Sequence, residues 1–394
     1  HADTGSLALG AQRSIDGVTM QASGIFPAAS TFGVGPTAGR IDITDTSTAA
    51  GGGLVINGTL SGTSLGDGAC ACSGINVSSS ANPIQTFNTL LSTDGATSFA
   101  FTGGGSLRAL GVLNADSGRT ITITHSNQPA TPVDSLFGGV VSLSAQGNIS
   151  AGFSTVLRAG NDMSITSQTG SIQLTQLFAG DAIDLTTFND VIGLGRSTSG
   201  GTLTATSGTS MIANFVDSTG GDVVLTTLNG QAQISNSSAA GDFIIDSTGG
   251  GVQQAGTVRA GRSISFAGDF VNVGTAIAAD DISLIGRAGQ ASLQNGTTTG
   301  IGATGGSNIT VTGTTSAVVF NANAIDDVIV TGPTGFVSTS ATAGRDIIVQ
   351  STNGNTFVNT LNAGRNIDLS ASGGVLILSA TAAQLLNVNA IAGT

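Results

Sequence analysis

The sequence predicts an all-β protein: a right-handed parallel β-helix (β-solenoid) with about 20 residues per coil and three short strands in each coil. Three observations predict this fold: the composition, a repeated phrase of residues, and the alternation of apolar and polar residues inside that phrase. The chain has 394 residues with 60 Gly and 16 Phe, and it lacks Trp, Tyr, Lys and Glu. Strong helix formers for exposed positions are therefore scarce. Gly, Ser, Thr, Asn, Val and Ile supply strands and turns instead.

A short phrase of residues returns along the chain from about residue 140 onward. Each copy has a small residue, usually in Ala-Gly, then one or two polar residues, and then two apolar residues separated by one residue. The first apolar residues of successive copies are Met163, Ile183, Leu203, Val223, Phe243, Ile264, Ile282, Ile309, Val328, Ile347 and Ile367. The steps between them are 18 to 21 residues, except for the 27 residues from Ile282 to Ile309.

Further apolar positions in each copy predict three strands per coil. A second Gly precedes alternating apolar residues, as Gly170 precedes Ile172 and Leu174, and a third apolar residue lies three residues before the repeat Gly, as Leu177 precedes Gly180. Alternation directs one side chain inward and the next to solvent. Gly and Asn are expected at corners because they tolerate a left-handed backbone. One coil cannot bury its own apolar faces, so equivalent strands are expected to stack.

The array is expected to cover nearly the whole chain. The upstream members of the series are predicted to be Ile121, Val141, Phe99, Ile75 and Leu54. Residues 51–394 are therefore predicted to form the solenoid, with a loop insertion near 295–306. Residues 1–50 are predicted to be an amino-terminal segment that serves as a cap or as a subunit-linking extension.

The phrase at 363–374 reads Ala-Gly-Arg-Asn-Ile-Asp-Leu-Ser-Ala-Ser-Gly-Gly. It resembles the repeats of filamentous haemagglutinin-type exoproteins, the large bacterial adhesins exported by two-partner secretion, over about residues 140–380. The resemblance implies a right-handed parallel β-helix, an extracellular location and an adhesive or structural role. The Asn-rich motifs of that family's secretion domain are not evident in residues 1–130, which favours a self-assembling surface filament.

Charge and the first residues bear on partners and location. The net charge of -12 argues against binding of nucleic acid or of an anionic membrane surface through a basic patch. No stretch approaches the length of a membrane-spanning helix. The segment His1–Thr4 has no Met and no basic or apolar signal region, so we interpret it as the mature end left after removal of a signal peptide. The predicted location is extracellular or at the cell surface.

The two cysteines, Cys70 and Cys72, form a Cys-Ala-Cys triplet that would place both on one face of a strand. Three states stay open: a local disulfide that is strained or does not form, free buried thiols, or a cross-link to another chain. Nothing nearby supplies the remaining ligands of a zinc site.

Catalysis is disfavoured by the residue types present. Many parallel β-helices degrade polysaccharides, and such sites need clustered carboxylates with a basic partner. The histidines are His1 and His125, and the candidate carboxylate pairs are Asp280-Asp281 and Asp326-Asp327. These pairs occupy a corner of the repeat, where Asp is favoured by turn geometry alone. The sequence therefore predicts no enzyme and no catalytic residue.

Calcium binding is a less favoured alternative. Five aspartates recur near the same corner and would stack as a ladder of oxygen ligands: Asp162, Asp181, Asp222, Asp242 and Asp346. The nonapeptide of calcium-binding β-rolls is never intact, and the ladder is interrupted by Arg262, Arg345 and Arg365. We predict neither a metal site nor a cofactor.

The predicted function is structural: a stiff surface rod or self-assembling extracellular filament with an adhesive or biofilm role. The end of a solenoid exposes unpaired backbone groups. Because Val375–Leu378 and Leu385–Val388 are apolar close to the carboxyl end, we expect homo-oligomers formed by end-to-end or strand-exchange association. The alternatives are a monomeric adhesin exported by two-partner secretion, with a receptor on host or sibling cells, and more remotely a polysaccharide-degrading β-helix enzyme.

Overall fold

The structure is a computed structural model that describes residues 17–22, 33–46, 54–65, 73–128, 133–300 and 306–391. Cys70, Cys72 and His1 lie outside these ranges. The described residues form parallel strands and no helix, so none of them belongs to a helix that could cross a membrane. The chain divides into two compact units, His1–Gly200 and Gly201–Thr394.

The strands of the amino-terminal unit are β1 (Gly17–Ala22), β2 (Gly33–Ala38), β3 (Arg40–Asp45), β4 (Val55–Leu65), β5 (Gly74–Ser79), β6 (Pro83–Thr93), β7 (Ala96–Thr102), β8 (Ser106–Ala109), β9 (Val112–Ser117), β10 (Ile121–Ser126), β11 (Leu136–Gly138), β12 (Val140–Ala145), β13 (Ile149–Ala151), β14 (Val156–Ala159), β15 (Met163–Ser167), β16 (Ile172–Ala179), β17 (Ile183–Thr187) and β18 (Ile192–Ser199).

The strands of the carboxyl-terminal unit are β19 (Leu203–Ser207), β20 (Met211–Ser218), β21 (Val223–Thr227), β22 (Ala232–Ile234), β23 (Ser237–Ala239), β24 (Phe243–Ser247), β25 (Val252–Ala260), β26 (Ile264–Gly268), β27 (Val271–Ala278), β28 (Ile282–Gly286), β29 (Ala291–Thr298), β30 (Ile309–Gly313), β31 (Ser316–Ala324), β32 (Val328–Gly332), β33 (Thr334–Ala343), β34 (Ile347–Ser351), β35 (Thr356–Ala363), β36 (Asn366–Ala371), β37 (Val375–Ala382) and β38 (Leu385–Ala390).

A single column of apolar side chains runs through the carboxyl-terminal unit. Its members pair turn by turn in parallel register, and each is 0% exposed: Leu203, Val223, Phe243, Ile264, Ile282, Ile309, Val328, Ile347 and Ile367. These are the residues that the repeat phrase singled out. The predicted β-solenoid with a spacing of about 20 residues is therefore confirmed. Its right-handed sense stays a prediction, which the general preference for right-handed parallel connections favours.

Each turn has three faces, which we number in chain order from the strand that follows the repeat phrase. In the carboxyl-terminal unit the first face carries a strand of its own, such as β26, whereas β6 of the amino-terminal unit joins the third face to the first. The second and third faces are usually joined in one longer strand that bends, and in β25 the register shifts between Gln254 and Thr257. In some turns the two faces have separate strands, as β22 and β23 do.

Turns of the amino-terminal unit are longer and less uniform. Val141 pairs with Met163, as predicted. Ile121 pairs with Thr97 and Ile149 and so lies on the second face. The strands that carry Phe99 and Ile75 belong to the same second-face stack, so the predicted places of all three residues in the first column are wrong. Successive members of the second-face column lie 34, 22, 24, 28, 23 and 20 residues apart: Ile41, Ile75, Thr97, Ile121, Ile149, Ile172 and Ile192. Variable turn lengths therefore hide the period upstream of residue 140.

Two features of the described strands bear on the predicted domain organisation, which stays a prediction. Within the segment 1–50, β1 pairs in parallel with β3 and β2 pairs with β4, so this part continues the pairing of the solenoid. In the region of the predicted loop at 295–306, β29 continues to Thr298 and keeps its register with β27 and β31. The extra residues of this turn therefore lie after Thr298.

The repeat glycines are explained by close approach of consecutive turns and not by backbone conformation. Positive φ angles among the described glycines occur at Gly39, Gly103, Gly256 and Gly300. Gly180 and Gly364 of the Ala-Gly phrase are not among them. A Cβ added to Gly180 would overlap the carbonyl oxygen of Gly160, and one added to Gly364 would overlap that of Gly344. The expectation that left-handed backbone selects these glycines is therefore wrong.

We expect neighbouring residues on one strand to differ sharply in their contribution to stability. Leu284 is 0% exposed and Ile285 is 40% exposed, and both lie on β28. Leu284→Ala should lower the free energy of unfolding by about 2–5 kcal/mol, because it opens a cavity between turns. Ile285→Ala should cost less than about 1 kcal/mol. Urea unfolding followed by circular dichroism measures both, and equal losses would contradict the stacked core.

Candidate functional site

In both units the corner before the first face carries side-chain oxygens, which we call the Asx ladder: Asp162 in the amino-terminal unit, and Asp222, Asp242, Asp281, Asn308, Asp327 and Asp346 in the carboxyl-terminal unit. In each case Oδ1 accepts the backbone N–H of the residue at the same corner one turn later. The N···O distances are 3.2 Å to Ala182, 2.8 Å to Asp242, 3.0 Å to Ser263, 2.9 Å to Asn308, 3.1 Å to Asp327, 3.0 Å to Asp346 and 3.1 Å to Asn366. The ladder thus links consecutive turns through hydrogen bonds, six of them to aspartate carboxylates and one to the amide oxygen of Asn308.

The three arginines that seemed to interrupt the aspartates bind them. Nη2 of Arg262 lies 2.9 Å from Oδ1 of Asp222 and 2.7 Å from Oδ2 of Asp242.

Arg345 and Arg365 each reach back one turn. Nη2 of Arg345 lies 2.7 Å from Oδ2 of Asp327, and Nε of Arg365 donates to Oδ1 of Asp346 at 2.9 Å. The hydrogen bond from Arg365 lowers the pKa of the Asp346 carboxyl, and the N–H of Asn366 adds to this against an opposing effect of burial. Arginine side chains at this corner therefore form ion pairs with the carboxylates of the Asx ladder.

These contacts bear on the calcium alternative. Of the five predicted aspartates, Asp181 lies one residue before the ladder position, which Ala182 occupies in its turn. The oxygens of Asp222, Asp242 and Asp346 are engaged by backbone N–H groups and guanidinium groups. Within the described ranges no three His, Cys, Asp or Glu side chains are grouped so that they could hold a metal ion.

The two candidate catalytic pairs lie in the carboxyl-terminal unit. Asp281 and Asp327 are members of the Asx ladder, and Oδ2 of Asp326 accepts the N–H of Ser307 at 3.0 Å. Asp280 is 7% exposed, and its Oδ1 has no hydrogen-bond partner among the described residues. Three of the four carboxylates thus hold the backbone or side chains of adjacent turns, which is a structural use of these groups.

His125 makes a contact that the sequence does not reveal. Its Nδ1 lies 2.8 Å from Oγ of Ser135, and its Nε2 lies 3.0 Å from the carbonyl oxygen of Gly103. A serine beside a histidine suggests an activated nucleophile. Ser135 is 0% exposed, however, and it also accepts the N–H of Val156 at 3.2 Å. A substrate in solvent cannot reach this hydroxyl, so the pair serves packing between turns.

The turn formed by β37 and β38 exposes positions that the other described turns of this unit bury. Leu386 and Val388 of β38 are 47% and 44% exposed, whereas the residues in register with them on β36, Ile367 and Leu369, are both 0% exposed. Further exposed apolar side chains on this turn are Leu376, Leu378, Leu385 and Ile391. These residues form the surface that we call the open turn.

Comparison of the chain with protein families, with curated proteins and with solved structures finds no match. The open turn and the Asx ladder must therefore be interpreted from their own chemistry.

The Arg365–Asp346 pair makes the stability of the protein depend on pH. Because the pKa of Asp346 is lower in the folded chain than its usual value, its contribution is present above that usual value and is lost as the pH falls through the folded value. Arg365→Gln should lower the Tm at pH 7, and the difference from wild type should shrink below about pH 4. Thermal unfolding between neutral and acidic pH measures this.

Arg259→Gln is the matched control, since Arg259 is exposed and forms no ion pair with a described residue. It removes the same charge without breaking the ladder. A difference between wild type and Arg365→Gln that persists unchanged at low pH would contradict the assigned role of the pair.

Proposed function

We propose that this protein is an extracellular structural protein whose solenoid turns associate end to end into a filament with an adhesive role at the cell surface. The observation that carries the proposal is the exposure of Leu386 and Val388 at positions where every preceding turn of the carboxyl-terminal unit buries an apolar side chain or Ala. Covering such positions is favourable by about 25 cal/mol per Å² of apolar surface.

The backbone of the open turn supports the same proposal. β37 and β38 pair on one side with β35 and β36, and the described residues place no strand on their other side. Unpaired N–H and C=O groups along such an edge are a template for a further parallel strand. A strand added there would form hydrogen bonds and cover Leu386 and Val388 at once.

We infer that a second copy of the chain supplies the added turn. β38 lies on the first face, so the next strand of an added turn would lie on the second face. β1 is a second-face strand, and its positions Val18 and Met20 are in register with the buried Ile41 and Ile43. If β1 stacked on β37, Val18 and Met20 would extend the second-face column that includes Val375 and Ile377. β2 is a first-face strand through its pairing with β4, so it would follow on β38 and cover Leu386 and Val388, although Pro36 donates no backbone N–H there.

The location and the adhesive role rest on the resemblance of the repeat phrase to bacterial adhesin repeats. A monomeric adhesin is the competing proposal. It would leave the open turn uncovered in solution, so the state of association separates the two.

Val388→Asp should abolish end-to-end association, because a carboxylate in the apolar column must be desolvated when the next turn is added. Asn389→Asp is the matched control, since it adds the same charge at the adjacent position on the solvent side of β38. We expect wild type and Asn389→Asp to form filaments in negative-stain electron microscopy and fast-sedimenting species in ultracentrifugation. We expect Val388→Asp to remain monomeric with an unchanged circular dichroism spectrum. Wild-type protein that stays monomeric at micromolar concentration would overturn the proposal.

A further inference from the structure

The third face of the amino-terminal unit carries a column of alternating arginine and phenylalanine side chains. Arg108, Phe137, Arg158 and Phe178 are consecutive register partners on β8, β11, β14 and β16. The Cζ atom of Arg108 lies 5.2 Å from the ring centroid of Phe137, and that of Arg158 lies 4.7 Å from the ring centroid of Phe178. Both distances are those of cation–π contacts, which hold each guanidinium against the face of a ring.

The two arginines of this column differ in charge compensation. Nε of Arg158 lies 2.9 Å from Oδ1 of Asp134, so its charge is paired. Arg108 is exposed, and its guanidinium has neither an ion pair nor a hydrogen bond with any described residue. All five of its N–H donors are therefore available to an external acceptor while the ring of Phe137 holds the group in place.

A groove of about 360 Å³ opens beside Arg108, a size at the lower end of ligand sites. Four of its seven lining residues are apolar, Ile56, Phe87, Leu110 and Phe137, and the other three are Gln85, Thr86 and Arg108. Phe87 and Leu110 project from consecutive turns at one corner and are 57% and 75% exposed. In the next turn the corner residue is Gly139, which lies against the carbonyl oxygen of Leu110 and adds no side chain. The groove thus has an apolar wall, an aromatic wall and one free cation.

We propose that this groove binds a small amphiphilic anion, an aryl or acyl group that carries a single carboxylate, sulfonate or sulfate. The apolar part would lie between Leu110, Phe87 and Phe137, and the anionic group would accept hydrogen bonds from Arg108. A guanidinium matches a planar carboxylate or a sulfonate edge through two parallel N–H···O bonds. The net charge of the chain is negative, but beyond about 8 Å distant carboxylates are screened at physiological salt. The proposal is independent of end-to-end association.

The matched dyes 8-anilinonaphthalene-1-sulfonate and N-phenyl-1-naphthylamine test the proposal, because they share an apolar skeleton and differ in the anionic group. The chain has no Trp or Tyr, so their fluorescence is measured without interference from the protein. Arg108→Gln should weaken binding of the sulfonate dye about tenfold, in line with loss of a charge-assisted hydrogen bond, and should leave binding of the neutral dye within twofold. Leu110→Ser should weaken binding of both dyes.

Arg196→Gln is the control, because Arg196 is also exposed and unpaired among the described residues of this unit but does not line the groove. It should leave both dyes unaffected. Any dye bound at the open turn does not depend on Arg108 and remains as a common background in all variants. Sulfonate binding that is unchanged in Arg108→Gln, or that falls equally in Arg196→Gln, would overturn the proposal. Displacement of the sulfonate dye by phenylacetate or decanoate, but not by acetate, would support it.

Discussion

Every turn of this protein depends on in-register stacking upon its neighbours, because no turn has a core of its own. On the first face Phe243 packs against Phe266 with ring centroids 5.9 Å apart, and the two rings belong to consecutive turns. Polar groups also form hydrogen bonds between consecutive turns. Oγ1 of Thr187 donates to the carbonyl oxygen of Gly170 in the preceding turn at 2.8 Å, and the Asx ladder links the corners. Core packing and polar satisfaction are thus provided between turns.

Much of this arrangement could be predicted from residue spacing. The first-face column of the carboxyl-terminal unit was predictable because its turns have nearly constant length, so that a fixed period places equivalent residues above each other. Ile121 was misplaced because turns of the amino-terminal unit vary in length. Residues chosen by a fixed spacing in this unit therefore come from different faces, although they are all apolar. Ile121 and Val141 are both apolar members of alternating strands, and only pairing distinguishes their columns.

The chemistry of the corners and grooves was less accessible from sequence. Recurrent aspartates were visible, but an oxygen that accepts the N–H of the following turn cannot be distinguished from a metal ligand by its spacing. The arginines appeared to interrupt the aspartates, whereas in space Arg345 and Arg365 complete the pairs with Asp327 and Asp346. The groove at Arg108 left no signal, because its walls come from turns whose lengths follow no fixed period.

The most direct test of stacking is a distance between two turns where the repeat spacing is broken. Ser283 on β28 and Thr310 on β30 are register partners although the step between their turns is the irregular one. Nitroxide labels on Ser283→Cys and Thr310→Cys, in a chain with Cys70→Ser and Cys72→Ser, would sit on backbones about 4.8 Å apart. Stacking predicts strong dipolar broadening of the frozen-solution EPR spectrum of the double-labelled protein relative to the sum of the two single-labelled spectra. A double-labelled spectrum identical to that sum would contradict it.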